Sequence, residues 1–227
     1  NIYITTSAHP DPHPISHLNT EQPVIALTFD TAAGSDSTDK ILDILDKYKI
    51  TATFFITGGW AEKNPDTLKR IADSGYELGN HSENHKNMES MSDEECRREI
   101  MSVHEAVKSL TGVEMDLFRP PYGACNSQLI QSAEDCGYAT VSWDCDSMDW
   151  KDYGAQDILH RILNSRQLQN GSILLFHAGT VYTAQALPDL IDNLEDQGYQ
   201  PVPISELIWK HSYYMDADGV QIPKTEP

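Results

Sequence analysis

A chain of 227 residues suits one domain with a short appendage at either end. A domain of that size buries roughly three quarters of its unfolded surface, so it folds without a metal or disulfide, and a metal is free to be catalytic. Sixteen basic against 35 acidic residues leave a formal charge of −19, which excludes a nucleic-acid partner, because nothing neutralises phosphates at scale, and favours neutral glycans over polyanionic ones.

Residues 1–22, rich in Pro, His, Ser and Thr, show no sustained periodicity and are expected to form an irregular arm. His9, His13 and His17 stand there at a spacing that invites a metal, but Pro10, Pro12 and Pro14 prevent the helix that would align them. From Pro23 a rhythm begins. Val24 to Phe29 is a short apolar run of buried-strand type, and Ile41, Leu42, Ile44, Leu45 and Tyr48 mark one face of a helix from Ser37. Thr51 to Ile56 is the next strand. Asn64 stands as a helix cap with Pro65 at the first position, and Tyr76 to Leu78 reads as a short strand.

Ser92 and Glu95 make a capping box for a long helix to about Leu110, closed by Gly112. Asp116 to Phe118 is a strand, and Asn126 caps a helix to Cys136. Tyr138 to Val141, Ser172 to Phe176 and Tyr199 to Val202 are further strands, separated by helices near Ala155–Leu163 and Thr183–Asp196. The domain therefore spans 23–209, with a tail over 210–227. No apolar run approaches the ~20 residues of a membrane span. The four cysteines lack metal-type spacing and are read as mostly free, buried thiols.

Strands alternating with helices in runs this short call for a parallel sheet with helices outside. About seven such units suit a closed or nearly closed barrel, with a doubly wound open sheet as the alternative. In either architecture functional groups sit just past the carboxyl ends of strands. Five successive strand ends carry such groups: Asp30; His81 and His85; Arg119 to Gly123; Asp144, Asp146, Asp149 and Trp150; and His177. Two histidines four apart fit one side of a helical turn or a tight loop, and neutral imidazole is a good ligand for zinc and its neighbours.

As an ordered set, Thr28-Phe29-Asp30, His81-Ser82-Glu83-Asn84-His85, Arg119-Pro120-Pro121-Tyr122-Gly123, Asp146-Ser147-Met148-Asp149-Trp150 and Leu175-Phe176-His177 resemble the five motifs of the polysaccharide deacetylases, carbohydrate esterase family four. The resemblance covers about Val24 to Leu207. It implies an α/β fold, a distorted (β/α) barrel of about seven parallel strands with outer helices. It also implies a divalent metal, zinc first with cobalt or manganese as alternatives, and hydrolysis of N- or O-acetyl groups on a neutral glycan such as peptidoglycan, chitin oligomers or xylan.

Carried over by position, the resemblance makes Asp30 the base for water activated at the metal, and His81 and His85 metal ligands. His177 becomes the acid for the leaving group, Asp149 its partner, and Arg119 the residue that holds Asp30. Tyr122 would offer a backbone N–H to the oxyanion, and Trp150 and Leu175 would wall the acetyl pocket. One position departs from the family pattern Thr-Phe-Asp-Asp: Thr31 stands where the family has its third ligand. Asp36 or Asp39 could substitute, water could fill the place, or metal and activity could be lost.

No G-x-S-x-G elbow appears, consistent with direct attack by water. A family member reduced to a glycan-binding module is the main alternative. A glycosidase using two carboxylates among Asp30, Asp144, Asp146 and Asp149 would leave His81, His85 and His177 unexplained. Secretion or attachment to the cell envelope is expected; the chain opens on Asn1 rather than Met, as in a trimmed or mature form, and no signal-peptide pattern is visible.

Overall fold

The computed structural model describes residues 12–34, 36–210 and 212–224. Among them the chain runs β1 (His17–Leu18), β2 (Val24–Thr31), α1 (Asp36–Tyr48), β3 (Thr53–Ile56), α2 (Gly58–Lys63), α3 (Pro65–Asp73), β4 (Glu77–Asn80) and α4 (Asp93–Thr111). It continues through β5 (Leu117–Phe118), α5 (Ser127–Asp135), β6 (Ala139–Thr140), β7 (Cys145–Asp146), α6 (Ala155–Leu163), β8 (Ile173–His177) and α7 (Thr183–Asp196). Last come β9 (Gln200–Pro201), α8 (Ile204–Leu207), β10 (Tyr213–Met215) and β11 (Val220–Pro223).

Seven parallel strands pair in the order β6-β5-β4-β3-β2-β8-β7, and β9 adds beside the start of β2. That is chain order taken round a ring and broken between β6 and β7. The result is the distorted (β/α) barrel, with the ring left open on one side; the doubly wound sheet, which would reverse its strand order at a switch point, is not formed.

Strand β2 is buried from Ile25 onward, as expected of a central parallel strand covered on both faces. Alternation sorts its side chains. Ile25, Leu27 and Phe29 join the outer layer beneath the helices, where Phe29 stacks on Phe54 with centroids 5.0 Å apart. Ala26 faces the barrel interior with Phe55, Leu117, Val141 and Ile173. The register then does the work that matters for function. Asp30 pairs with Phe55 on one side and His177 on the other, while Asn80 pairs with Ile56 and Phe118. The carboxyl ends of five strands are thereby level.

The helices follow the sequence signals closely. Ser92 and Glu95 form the capping box of α4, and Gly112 ends it in the left-handed region at φ 77°. Asn64 is a partial exception. It occupies the cap position of α3 without a side-chain cap bond, because its amide donates instead to the Trp60 carbonyl and closes α2 at 2.9 Å. Helix α2 opens on Gly58-Gly59 and α8 is a single turn, too short for a 3.6-residue period to register. All four cysteines are free thiols, Cys96 and Cys145 buried and Cys125 and Cys136 partly so.

Residues 12–22 and 212–224 are more ordered than their composition suggests. Strand β1 pairs with β11, which pairs with β10, in a separate three-stranded sheet. This sheet lies along the open side of the barrel: Ile15 bridges to Val141 and His17 to Ser172, while Tyr213 and Met215 join the interior core. Gly171 makes the approach possible. A Cβ there would lie 1.9 Å from the Leu18 carbonyl oxygen, and its φ is +88°. His9 lies outside the described residues; His17 Nδ1–H donates to Asp144 Oδ2 at 2.8 Å.

Candidate active site

Arg119, just past β5, is fully buried in the barrel mouth. Its Nη1 donates to Asp30 Oδ1 at 2.8 Å and to Thr28 Oγ1 at 2.9 Å, and Nη2 donates to the Ser142 carbonyl at 2.9 Å. The guanidinium lies 4.1 Å over the Phe55 ring, a stacking that only a planar cation makes well. Burial pushes the Asp30 carboxyl up, but His81, Arg119 and His177, with the Arg119 hydrogen bond, outweigh it and hold Asp30 below the usual carboxylate range. Sequence reasoning found Arg119 and Asp30. It missed Thr28 and the Ser142 carbonyl, whose parts depend on strand register.

The two histidines sit on a loop, not a helix. Asn80 Oδ1 accepts the Ser82 N–H at 3.0 Å, and Ser82 Oγ accepts the His85 N–H at 3.1 Å. Ser82 and His85 both take positive φ, 67° and 52°. The rings end 4.8 Å apart. His81 Nδ1–H donates to the Arg119 carbonyl at 2.7 Å; a carbonyl only accepts, so the lone pair is on Nε2. That Nε2 is buried and without a hydrogen-bond partner, 3.4 Å from Asp30 Oδ2. Burial pushes His81 down to about 4, so it is neutral near pH 7, and burial likewise lowers His85. An oriented imidazole with an orphaned buried nitrogen fits a metal ligand.

The rest of a metal site is thinner. Thr31 is fully buried and its hydroxyl donates to the Phe29 carbonyl at 3.3 Å. Asp39 pairs with Arg70 at 3.1 Å on the partly exposed face of α1. Asp36 begins α1, and its side chain lies outside the described residues. Among those residues no group of three or more His, Cys, Asp or Glu side chains is assembled to hold an ion. The chain thus offers two nitrogen donors at one side of Asp30.

His177 stands at the end of β8, across the ladder from Asp30. Asp149 is buried beneath it. Its Oδ1 accepts His177 Nδ1–H at 2.7 Å, while Oδ2 accepts the His177 backbone N–H at 2.8 Å and the Thr183 hydroxyl at 2.5 Å. Thr180 adds a longer bond to Oδ2 at 3.3 Å. Burial pulls His177 down, but the Asp149 hydrogen bond and charge, with Asp30 and Asp146, leave it above its ordinary value.

A cavity of about 570 Å³ opens between these pairs, lined by Asp30, His85, Tyr122, Trp150, Leu175 and His177 along with Trp143, Asp146 and Met148. Tyr122 takes φ 63° in a 3-10 turn, and its hydroxyl donates to the His85 carbonyl at 3.2 Å. Trp150 is 56% exposed at the rim and Leu175 is buried in the wall. Asp144, also past a strand end, does not join them. Its carboxylate accepts from His17 Nδ1–H at 2.8 Å, from Ser172 Oγ at 3.0 Å and from the Ile173 N–H at 2.9 Å, a structural knot. With Asp30 committed to Arg119 and Asp149 to His177, no two of the four carboxylates are left as an uncommitted pair of the kind a glycosidase needs.

Residues 17–141 match the family model described as polysaccharide deacetylase. The chain belongs to the polysaccharide deacetylase family. It is 34% identical over 196 residues to the peptidoglycan-N-acetylmuramic acid deacetylase PdaA of Bacillus subtilis, covering 85% of this chain and 74% of that protein. Two other B. subtilis relatives are longer: the chain spans 61% of the uncharacterized protein YlxY and 40% of the deacetylase PdaC. Among solved structures it resembles BA3943 of Bacillus anthracis, described as a pseudoenzyme of carbohydrate esterase family four. The TM-score is 0.83 at 31% identity, over 93% of this chain and 73% of that one. A BA3943 mutant described as having restored enzymatic activity matches with the same TM-score, at 34% identity over 88% and 72% of the two chains.

Proposed function

We propose that this family member hydrolyses acetyl groups on a glycan, with Asp30 as base and His177 as acid. The observation that carries this reading is the pair of charged couples, Arg119–Asp30 and Asp149–His177, facing one cavity across a single strand register. Arg119 keeps Asp30 ionised in a site that would otherwise favour the neutral acid. Asp30 removes a proton from the attacking water as it adds to the acetyl carbon. His177, whose protonated form Asp149 favours, delivers its proton to the departing nitrogen or oxygen. The Tyr122 N–H donates to the carbonyl oxygen as it gains charge, a bond worth about 3 kcal/mol. Trp150 and Leu175 receive the methyl group.

His81 and His85 would hold a divalent cation, zinc first and cobalt or manganese as alternatives. When bound, that cation supplies Lewis-acid polarisation and lowers the pKa of water towards about 7. With Thr31 in the third position the chain supplies two imidazoles, unless the Asp36 carboxylate joins them. Peptidoglycan is the first substrate, since PdaA and PdaC are named for it, with action at the cell envelope. A charge of −19 suits a substrate of low negative charge.

A second reading has its own support. Thr31, with the likeness to a named pseudoenzyme, favours a glycan-binding member that has lost its chemistry. Incubation with peptidoglycan fragments, chitin oligosaccharides and acetylated xylan, before and after chelation, separates the two. Acetate that appears, vanishes on chelation and returns with zinc, cobalt or manganese supports the deacetylase. No acetate from any substrate, and no metal retained by elemental analysis, supports the binding module.

A further inference from the structure

Alternation along β4 turns Asn80 away from the barrel mouth. Like Leu78 it faces the outer layer beneath α4, and it is fully buried there. A buried amide costs free energy unless its polar atoms are bonded, and here both are used. Oδ1 accepts the Ser82 N–H at 3.0 Å, while Nδ2 donates to the Ile100 carbonyl in α4 at 2.7 Å and to the Tyr138 hydroxyl at 3.3 Å. An N–H only donates and a carbonyl only accepts, so the amide stands one way round. Tyr138 is itself buried. Its hydroxyl, having accepted from Asn80, donates to His104 Nδ1 on α4 at 2.6 Å.

The bond to Ser82 is the one that bears on the loop His81–His85. All five N–H groups of that loop are bound: His81 to the Ile56 carbonyl, Ser82 to Asn80, Glu83 and Asn84 to the carbonyl and carboxylate of Glu99, and His85 to Ser82 Oγ. Ser82 and His85 hold positive φ, which a residue with a Cβ rarely adopts and which persists only where the surroundings over-determine it. Without the Asn80 oxygen the Ser82 N–H would be buried and unpaired. Ser82 would then be free to leave the left-handed region, and its hydroxyl would no longer meet the His85 N–H. We propose that Asn80 is a positioning residue, braced from behind by Tyr138 and His104, which aims the imidazoles of His81 and His85. Its use in catalysis rests on the metal reading of that loop, whereas the aim of the rings is a property of the chain without an ion. Asn80 does not line the catalytic cavity; it acts through Ser82.

The test is hydrogen exchange by NMR on the metal-free protein, with zinc affinity by competition with a chromophoric chelator on the same samples, for Asn80→Leu and Tyr138→Phe. In Asn80→Leu the Ser82 and His85 amides are expected to exchange at least about tenfold faster while those of β2 and β8 are unchanged, a local loosening that a general loss of stability does not give. Zinc affinity, corrected for the folded fraction, is expected to fall about 10–100-fold. Tyr138→Phe is expected to move both quantities in the same direction by less, and it decides the matter where Asn80→Leu does not fold. Loop amides and zinc affinity unmoved in a folded variant, or exchange that rises equally in the loop and in β2 and β8, overturn the positioning role. Wild-type protein that holds zinc no more tightly than the His81→Ala/His85→Ala double variant overturns the metal reading alone, and the loop amides then decide whether Asn80 positions the loop.

Discussion

Replacing Asp149 with Asn tests the acid side of the site most directly. In the native structure three donors, the His177 N–H and the Thr180 and Thr183 hydroxyls, converge on Oδ2, and His177 Nδ1–H alone reaches Oδ1. The amide oxygen of Asn must face the three donors, which turns its NH2 towards Nδ1. That geometry stabilises the neutral imidazole with its proton on Nε2 and disfavours the imidazolium. The charge-assisted bond is worth about 1.5–3 kcal/mol. Since the folded pKa of His177 lies above its ordinary value, its stabilisation is complete below about pH 6.5 and is lost as pH rises through the folded value. Asp149→Asn is therefore expected to cost about 2 kcal/mol at about pH 5 and about half that at about pH 9. Urea denaturation at the two pH values measures the difference, and NMR titration of the His177 ring should show its pKa falling. Acetate release, where observed, should drop by about 10²–10⁴, with the alkaline limb of kcat/KM moving to lower pH. A His177 titration unchanged by the substitution, with a stability loss independent of pH, would refute the role assigned to Asp149.

Arg119→Met leaves the buried Asp30 carboxylate without its counter-ion and should destabilise the fold by about 3–5 kcal/mol in urea; Arg119→Lys should recover little, because one ammonium cannot span Thr28, Asp30 and the Ser142 carbonyl. A loss under about 1 kcal/mol would show Asp30 protonated or solvated in the native state. Thr31→Asp adds an anionic donor at the departing family position, and zinc affinity by competition with a chromophoric chelator should rise at least about tenfold. Unchanged affinity would refute a metal site shared by position 31 with His81 and His85.

Much of this protein was legible residue by residue. Alternating apolar strands and amphipathic helices carry their period within a few residues, so β2, β3, β8, α1, α4 and α7 could be read locally. The capping box at Ser92 and Glu95 is equally local. Asp30, His81, Arg119, Asp149 and His177 were legible because parallel strands deliver their carboxyl ends to one rim, a rule that needs no coordinates. Asp144 obeyed the same rule on paper yet turned away, since whether a side chain enters the mouth or the flank depends on which neighbour claims it. Here His17, far away in sequence, claims it.

The amino-acid sequence by itself determined the βα rhythm, the acidic balance, the ordered set of catalytic-type residues and the substitution at Thr31, all of them properties of composition and short-range period. Only the tertiary structure decided that Thr28 and Ser142 share Arg119 and that Thr180 and Thr183 hold Asp149. It also decided that β1 and β11, about 200 residues apart in the chain, pair across the open side of the barrel. Such contacts are set by strand register and by the gap a broken ring leaves to be filled, and neither has a signature within any short stretch of chain.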